Sequence, residues 1–381
     1  MNYFKDFNLN KNIIWLNCAH QGPLPKVALR KAHEAIRMKE SPNRISDEDF
    51  FAVPQKLKNA LASLINADPQ NIVLGNSATF TVHLLANGIK FSSGDEILLV
   101  KGDFPTNYYS WLELQKTEVK IKFIECNNNF LSPDDLLSNI TTKTKLLCVS
   151  HVNSFNGFSI DIKNIGKICS DNNILFVLNG SQSLGWRSLN LKSLNIDVLF
   201  SCGFKGLLGP YGTGFCWIRP ELRESLEYNQ TYWLAMQNPD NLENLNSDIK
   251  VQNNIGARKY DVFGTANFLN FMPWTASIEY LLKQNISVVE EYNQHLVSYF
   301  IENLDSKKIK LLSSKHEKNR SLLIYISHKK PQRNKEIFDI LRQNNVYISL
   351  RKNNLRISPH LYNTKNELDK LFNILNEFSR R

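Results

Sequence analysis

No apolar run in the 381 residues is long enough to cross a bilayer. The longest, such as Leu146–Val149 and Ile174–Leu178, have the length of β-strands, so no membrane partner is expected. The opening residues, MNYFKDFNLNKN, carry neither an apolar core nor a small-residue cleavage site; a secretory signal is not expected, and the chain is placed in the cytoplasm. Cysteine is scarce, with 6 residues, none beyond Cys216 and none in a CxxC pair. That distribution argues for reduced, buried thiols and against a disulfide framework or a metal site. A block of basic residues is missing too, as is any DNA- or RNA-binding signature, although Lys plus Arg outnumber Asp plus Glu by 46 to 36. The lysines are scattered and often adjoin asparagines, so the net charge of +10 reads as composition and no nucleic-acid partner is expected. Internal repeats and low-complexity linkers are absent.

What is present is the composition of a packed protein, 42 % hydrophobic and 22 % charged, in a chain long enough for a large domain and a smaller one. Strand-like runs lie at Asn71–Asn76, Glu96–Val100, Val119–Ile124, Lys145–His151, Ile174–Asn179, Asp197–Ser201 and Gly214–Ile218. Segments of helical periodicity fall between several of them, at Thr79–Lys90, Asn107–Lys116 and Ile162–Asp171. Alternating β and α units predict an α/β fold built on a mainly parallel sheet wrapped by helices. One long helix is predicted over Trp274–Leu304. After it come strands at Leu322–Ser327, Val346–Leu350 and Asn354–Ile357, a helix at Asn334–Gln343 and a terminal helix from Lys365, which together predict a smaller α+β domain.

Ligands of an open parallel sheet bind outside the carboxyl ends of its strands, and the unusual residues of this chain collect there. The first strand runs into Gly75-Asn76-Ser77-Ala78-Thr79 and a helix start, whose free N–H groups and dipole suit a phosphate, although Ser and Thr there also serve as plain N-caps. Others end in Lys101-Gly102-Asp103-Phe104-Pro105-Thr106-Asn107, His151-Val152-Asn153-Ser154-Phe155-Asn156-Gly157, Asn179-Gly180-Ser181-Gln182 and Ser201-Cys202-Gly203-Phe204-Lys205-Gly206. A lone lysine is usually a solvated charge. Lys205 is set instead among glycines and apolar residues, where an amine loses its proton more easily and can act as a nucleophile.

Taken in order, the Ala-Thr turn, FPTN, HV…G, NGSQ, GFK…GPYGTGF, GTANF and LRISPHLYNT resemble the class V aminotransferase group of fold-type I pyridoxal phosphate (PLP) enzymes. That group includes cysteine desulfurases, kynureninase and isopenicillin N epimerase-like proteins, and the likeness runs from about Asn17 to Asn363. The resemblance implies a mainly parallel seven-stranded sheet in a large domain at 21–273, an arm at 1–20 and a small α+β domain at 274–381. It implies that Lys205 holds PLP as a Schiff base and is the catalytic residue. Phe104 would stack on the cofactor ring, Ser77, Ala78 and Thr79 would bind its phosphate, and Gln182 would bond its hydroxyl. Ser154 is placed on the cofactor as well, and Cys202 stands where many relatives carry a phosphate-binding serine. Gly264 and Thr265 match a segment that reaches the neighbouring subunit's phosphate, which implies a homodimer with shared active sites. Arg356 matches the arginine for the substrate α-carboxylate, a role that suits a planar, bidentate guanidinium. Asn17 and His20 would line the substrate side, His20 as a structural or substrate-contacting histidine rather than a general base.

The chain departs from the family at Asn179, where a carboxylate normally pairs with the protonated pyridine nitrogen. An amide offers only a neutral hydrogen bond, which lessens ring protonation and disfavours full transamination. It also departs in having no cysteine near the C-terminal arginine, where Ser349–Arg356 carry none, so a persulfide-forming desulfurase of the usual kind is not expected. The expected activity is therefore a PLP enzyme acting on an amino acid or amine by β-elimination, C–S cleavage or epimerisation. An aminotransferase that tolerates Asn179 and a non-catalytic PLP-fold binding protein are the alternatives. Tyr228–Val251, polar and rich in asparagine, is the expected source of side-chain selectivity.

Overall fold

Numbered along the chain, the strands are β1 (Ile14–Trp15), β2 (Ile72–Gly75), β3 (Glu96–Val100), β4 (Lys120–Ile124), β5 (Thr144–Ser150), β6 (Leu175–Asn179), β7 (Val198–Cys202), β8 (Gly214–Ile218), β9 (Ile309–Leu311), β10 (Ile324–His328), β11 (Val346–Tyr347), β12 (Ser349–Arg351) and β13 (Asn354–Ile357). They come from a computed structural model that describes residues 3–239, 242, 255–264 and 266–380. Thr265 and most of the second half of Tyr228–Val251, both given roles from the sequence, lie outside the described residues.

Strands β2 to β8 form one seven-stranded sheet in the order β2-β8-β7-β6-β5-β3-β4. The pairs β3–β4, β3–β5, β5–β6 and β6–β7 are parallel, and β8 runs antiparallel to both its neighbours. The fold expectation of a mainly parallel seven-stranded sheet is met. Strands β3, β5, β6 and β7 read as almost unbroken apolar runs because both faces of the sheet are covered. Strand alternation divides them: Leu98, Leu147, Phe176, Leu178 and Leu199 enter one core, while Leu99, Leu146, Cys148, Val177 and Phe200 enter the other with the helix Ala78–Gly88. The same alternation carries Ser150, Asn179 and Cys202 to this second face, at the carboxyl ends of three adjacent strands.

A second, antiparallel sheet has the order β12-β13-β10-β9, and β1 pairs in parallel with β11. Its apolar face is covered by the helices Ile286–Asn303, Asn334–Gln343 and Lys365–Arg380. The single helix predicted over Trp274–Leu304 is two helices, Phe268–Lys283 and Ile286–Asn303. Apolar periodicity continues through the joint, but Asn285 takes φ 60° and its side chain accepts the Ser287 N–H, ending one helix and capping the next. Trp274 and Ile278 of the first helix enter the core of the large sheet, whereas Leu296 and Phe300 of the second enter that of the small one. The helix predicted at Asn107–Lys116 is only one turn, Tyr109–Leu112, between short 3-10 segments, and the strand predicted at Val346–Leu350 divides into β11 and β12, which join different sheets.

Candidate active site

Lys205 follows β7 in a turn that is packed tightly on every side. A Cβ on Gly203 would lie 2.2 Å from Thr213 Oγ1, and one on Gly206 2.5 Å from the Leu184 carbonyl oxygen, so glycine alone lets the turn seat here. The Gly22 N–H donates to the Phe204 carbonyl at 2.8 Å, and His360 Nε2 donates to the Gly206 carbonyl at 3.1 Å. Residues from both ends of the chain thus hold the lysine turn. Lys205 is 8 % exposed, with its Nζ 5.2 Å from the centre of the Phe104 ring. Burial pushes its pKa below the ordinary lysine value; the Cys202 thiol opposes this, and the Arg356 and Arg351 charges reinforce it. No acidic group pairs with Lys205 among the described residues.

The turn after β2 and the turn after β3 meet beside Phe104. Ser77 caps the helix Ala78–Gly88 by accepting the Phe80 N–H, and Thr79 Oγ1 lies 3.1 Å from Thr106 Oγ1. The Phe104 ring stacks at 6.2 Å on Phe155 of the loop after β5. From the same loop, the Ser154 carbonyl accepts bonds from the Tyr325 hydroxyl and, at 3.4 Å, from Arg356 Nη1.

Arg356 sits on β13, 3 % exposed, and its Nη2 donates to Ser349 Oγ at 3.3 Å on the neighbouring strand. Ser349 Oγ in turn donates to Asn17 Oδ1 at 2.6 Å, which ties the N-terminal segment to the arginine. Arg356 Nε is buried without a partner, and so is Oε1 of Gln182, whose Nε2 donates to the Ala19 carbonyl at 3.1 Å. His20 is exposed, with its Nδ1 3.5 Å from Arg351 Nη2. Partial burial and the Arg351, Arg356 and Lys205 charges hold its pKa below the usual histidine value. A site with this many cationic groups and two idle buried polar atoms is built for an anionic, hydrogen-bonding ligand.

Gly264 does not join this cluster. With φ 116° and open space around it, it lines a separate cleft of about 950 Å³ together with Gly75, Asn76, Gly212 and Phe268. Cys202 is buried on the second face of the large sheet, and its N–H donates to Ser181 Oγ at 3.2 Å. Three groups of the site went unassigned in the sequence: Arg351, Asp103 and Asn107. Arg351 carried no signal of its own in the sequence: it gains its place because Ser349, two residues earlier on β12, stands opposite Arg356.

The residues fit pyridoxal phosphate. A buried amine of lowered pKa suits its aldehyde, an aromatic face beside that amine suits its ring, a capped helix start suits its phosphate, and the idle Gln182 oxygen suits its hydroxyl. A probable cysteine desulfurase of Methanothermobacter thermautotrophicus is 24 % identical over 297 residues, covering 77 % of this chain and 72 % of the relative. Among solved structures, the apo cysteine desulfurase of Thermococcus onnurineus NA1 superposes with a TM-score of 0.85 at 22 % identity, over 98 % of this chain and 96 % of that one. The cystine C–S lyase C-DES, in complex with its reaction product cysteine persulfide, gives 0.86 at 19 % identity, over 96 % and 97 %. The aminotransferase class-V family matches residues 46–371, a span that holds Lys205, Asn179 and Arg356, and the chain belongs to that family of pyridoxal phosphate enzymes.

Proposed function

We propose that this enzyme cleaves a bond at Cβ of an α-amino acid, by β-elimination of the C–S lyase type, without net transfer of the amino group. The observation that carries the reading is the neutral side chain of Asn179 in the place where the family keeps a carboxylate. Its Nδ2 donates to Asn107 Oδ1 at 2.8 Å and its Oδ1 accepts the Ser181 N–H at 3.0 Å, so both ends of the amide are engaged. The turn between β12 and β13 supports a lyase over a sulfur-carrying desulfurase. It consists of Lys352 and Asn353, at φ 46° and 59°, and presents no cysteine to the site. The description of C-DES as a cystine C–S lyase is in keeping with this.

Pyridoxal phosphate, when bound, supplies the electron sink for bonds broken at Cα and Cβ. The chain's own groups do the rest. Arg356 grips the substrate carboxylate and so fixes which Cα bond faces Lys205. Lys205 Nζ, whose ammonium form is disfavoured by burial and by its arginine neighbours, takes the Cα proton and delivers it to the leaving group or back to carbon. Phe104 and Phe155 wall one side against water, and His20 and Arg351 border the open side.

We also read residues 1–20 as an arm, 21–273 as the cofactor-holding domain and 274–381 as a smaller domain; the pairing of β1 with β11 and of Asn17 with Ser358 supports such an arm. The reading includes a homodimer, supported by exposed Phe263 and Leu269 lining the cleft that holds Gly264. It places the enzyme in the cytoplasm, in keeping with six unpaired cysteines and with no described helix long and apolar enough to cross a membrane.

One turnover with a ¹⁵N-labelled amino acid tests the reaction. A lyase leaves the label in free ammonia, with keto acid in equal amount; an aminotransferase leaves it in the cofactor extracted from the protein, and that result sinks the proposal. The Asn179→Asp variant should move label from ammonia toward the extracted cofactor. Lys205→Ala should abolish the reducible visible absorbance of the loaded protein and lower turnover by on the order of 10³-fold.

A further inference from the structure

Asp103 is 3 % exposed, and it has no ion-pair partner among the described residues. Burial without a cation raises the Asp103 pKa, and the hydrogen-bond donors around it, Ser150 first, oppose that rise and hold the carboxylate. Its Oδ1 accepts the Phe104 N–H at 2.7 Å, and its Oδ2 accepts the Ser150 N–H at 2.8 Å and Asn107 Nδ2 at 2.7 Å. Asn107 Nδ2 also donates to Ser150 Oγ at 2.9 Å. The amide of Asn107 can point only one way, with its NH₂ toward the carboxylate and its oxygen toward Asn179. Asn179 is then fixed in turn, NH₂ toward Asn107 Oδ1 at 2.8 Å and carbonyl toward the Ser181 N–H. A carboxylate and two amides thus stand head to tail, starting at Asp103 and ending on the carbonyl oxygen of Asn179, which keeps one lone pair to offer.

We propose that Asp103 is a positioning residue for the ring nitrogen of the cofactor, acting through Asn107 and Asn179. It holds the Asn179 carbonyl as a strengthened acceptor and so favours a protonated ring. The inference rests on the reading of residue 179 as the ring-nitrogen partner. A carboxylate accepting from Asn107 makes that amide's oxygen more basic, and the Asn107 oxygen does the same for Asn179. Strengthening of roughly 10–30 % per bond along such a chain supplies part of the charge that an aspartate at 179 would supply directly, and not all of it. Asp103 is therefore a source of the negative charge that the neutral Asn179 lacks, and the site stands between a full salt bridge and a plain amide. Sequence position hides this relation, because the three side chains come from the turn after β3 and the end of β6 and meet only in the fold.

The test uses the full-length protein reconstituted with pyridoxal phosphate ¹⁵N-labelled in the ring, and reads the ring-nitrogen chemical shift without reference to turnover. Asp103→Asn keeps shape and removes charge; Asn107→Ser leaves Asp103 in place and breaks the link. Each variant should lower the ratio of protonated to unprotonated ring by up to roughly twofold, the worth of such strengthening on one hydrogen bond. Asn179→Asp should raise that ratio and make it less sensitive to Asp103→Asn. Thermal unfolding of each apo variant reports folding independently, and if Asp103→Asn does not fold, the Asn107→Ser result decides. An unchanged ring shift in folded Asn107→Ser overturns the inference while leaving the cofactor reading intact. Failure of the wild type to retain the labelled cofactor overturns both.

Discussion

Arg356 shows what a single buried side chain contributes to this site. Its charge has no acidic partner among the described residues, and its two weak bonds, at 3.3 and 3.4 Å, leave Nε idle. Such an arrangement is stable because the flanking strand and loop hold the guanidinium in place, and it is poised for a carboxylate that satisfies it bidentately. Arg356→Lys keeps the charge but loses the fork. It should lower kcat/KM for an α-amino acid by about 10- to 100-fold, the worth of one charge-assisted hydrogen bond, with the amount of bound cofactor unchanged. Steady-state kinetics beside a cofactor titration checks this, and equal losses in both would refute the assignment. Lys205, Gln182 and Arg356 could be named as candidates from the sequence because each lies in a short motif that resembles the family's. Arg351 and Asp103 could not, since an arginine on a strand or an aspartate in a turn acquires meaning only from what the fold sets opposite it.

The elements were legible where hydrophobic period and chain direction agree. The helices Ile162–Asp171 and Asn334–Gln343 and the strands β3, β8 and β13 have the bounds read from the sequence. The misreading at Trp274–Leu304 has a local cause: two helices facing two different cores repeat the same apolar period, and only the backbone of Asn285 separates them. Two substitutions there should separate the cap from the backbone strain. Asn285→Ala loses the cap bond and keeps a β-carbon at positive φ, and should destabilise the protein by about 1–3 kcal/mol. Asn285→Gly also loses the cap but tolerates the conformation, so urea unfolding should place it between Ala and wild type. A ranking with Gly below Ala would show that the turn's conformation is not what the asparagine provides.

At the scale of the whole molecule, the large and small sheets are coupled through His360. Its Nε2 donates to the Gly206 carbonyl beside Lys205, while its Nδ1 accepts the Leu361 N–H at 2.7 Å, so the ring is held neutral in one tautomer. Burial pulls its pKa down to about 4 from the model-compound value of 6.5. Between those values the unfolded chain binds more protons than the folded one, so this residue's contribution falls as pH drops from 6.5 toward 4. Relative to His360→Gln, the wild type should lose up to roughly 1.4 kcal/mol per pH unit over that window. Chemical denaturation of both proteins at a series of pH values checks the slope. A difference independent of pH would mean that the folded ring is protonated as easily as the unfolded one.

By itself the sequence determined the sheet, its mainly parallel sense and the cofactor. Apolar runs of strand length alternating with amphipathic segments admit few other folds, and the cofactor followed from the resemblance that the lysine turn and the late arginine bear to the class V aminotransferase family. Only the tertiary structure decided which groups face one another: that Asn107 and Ser150 close around Asp103, that Asn179 is locked in one orientation, and that the C-terminal His360 holds the lysine turn. The physical reason is range. Propensity and period act over a few residues along the chain, whereas a buried hydrogen bond depends on atoms brought to within about 3 Å of each other from anywhere along it.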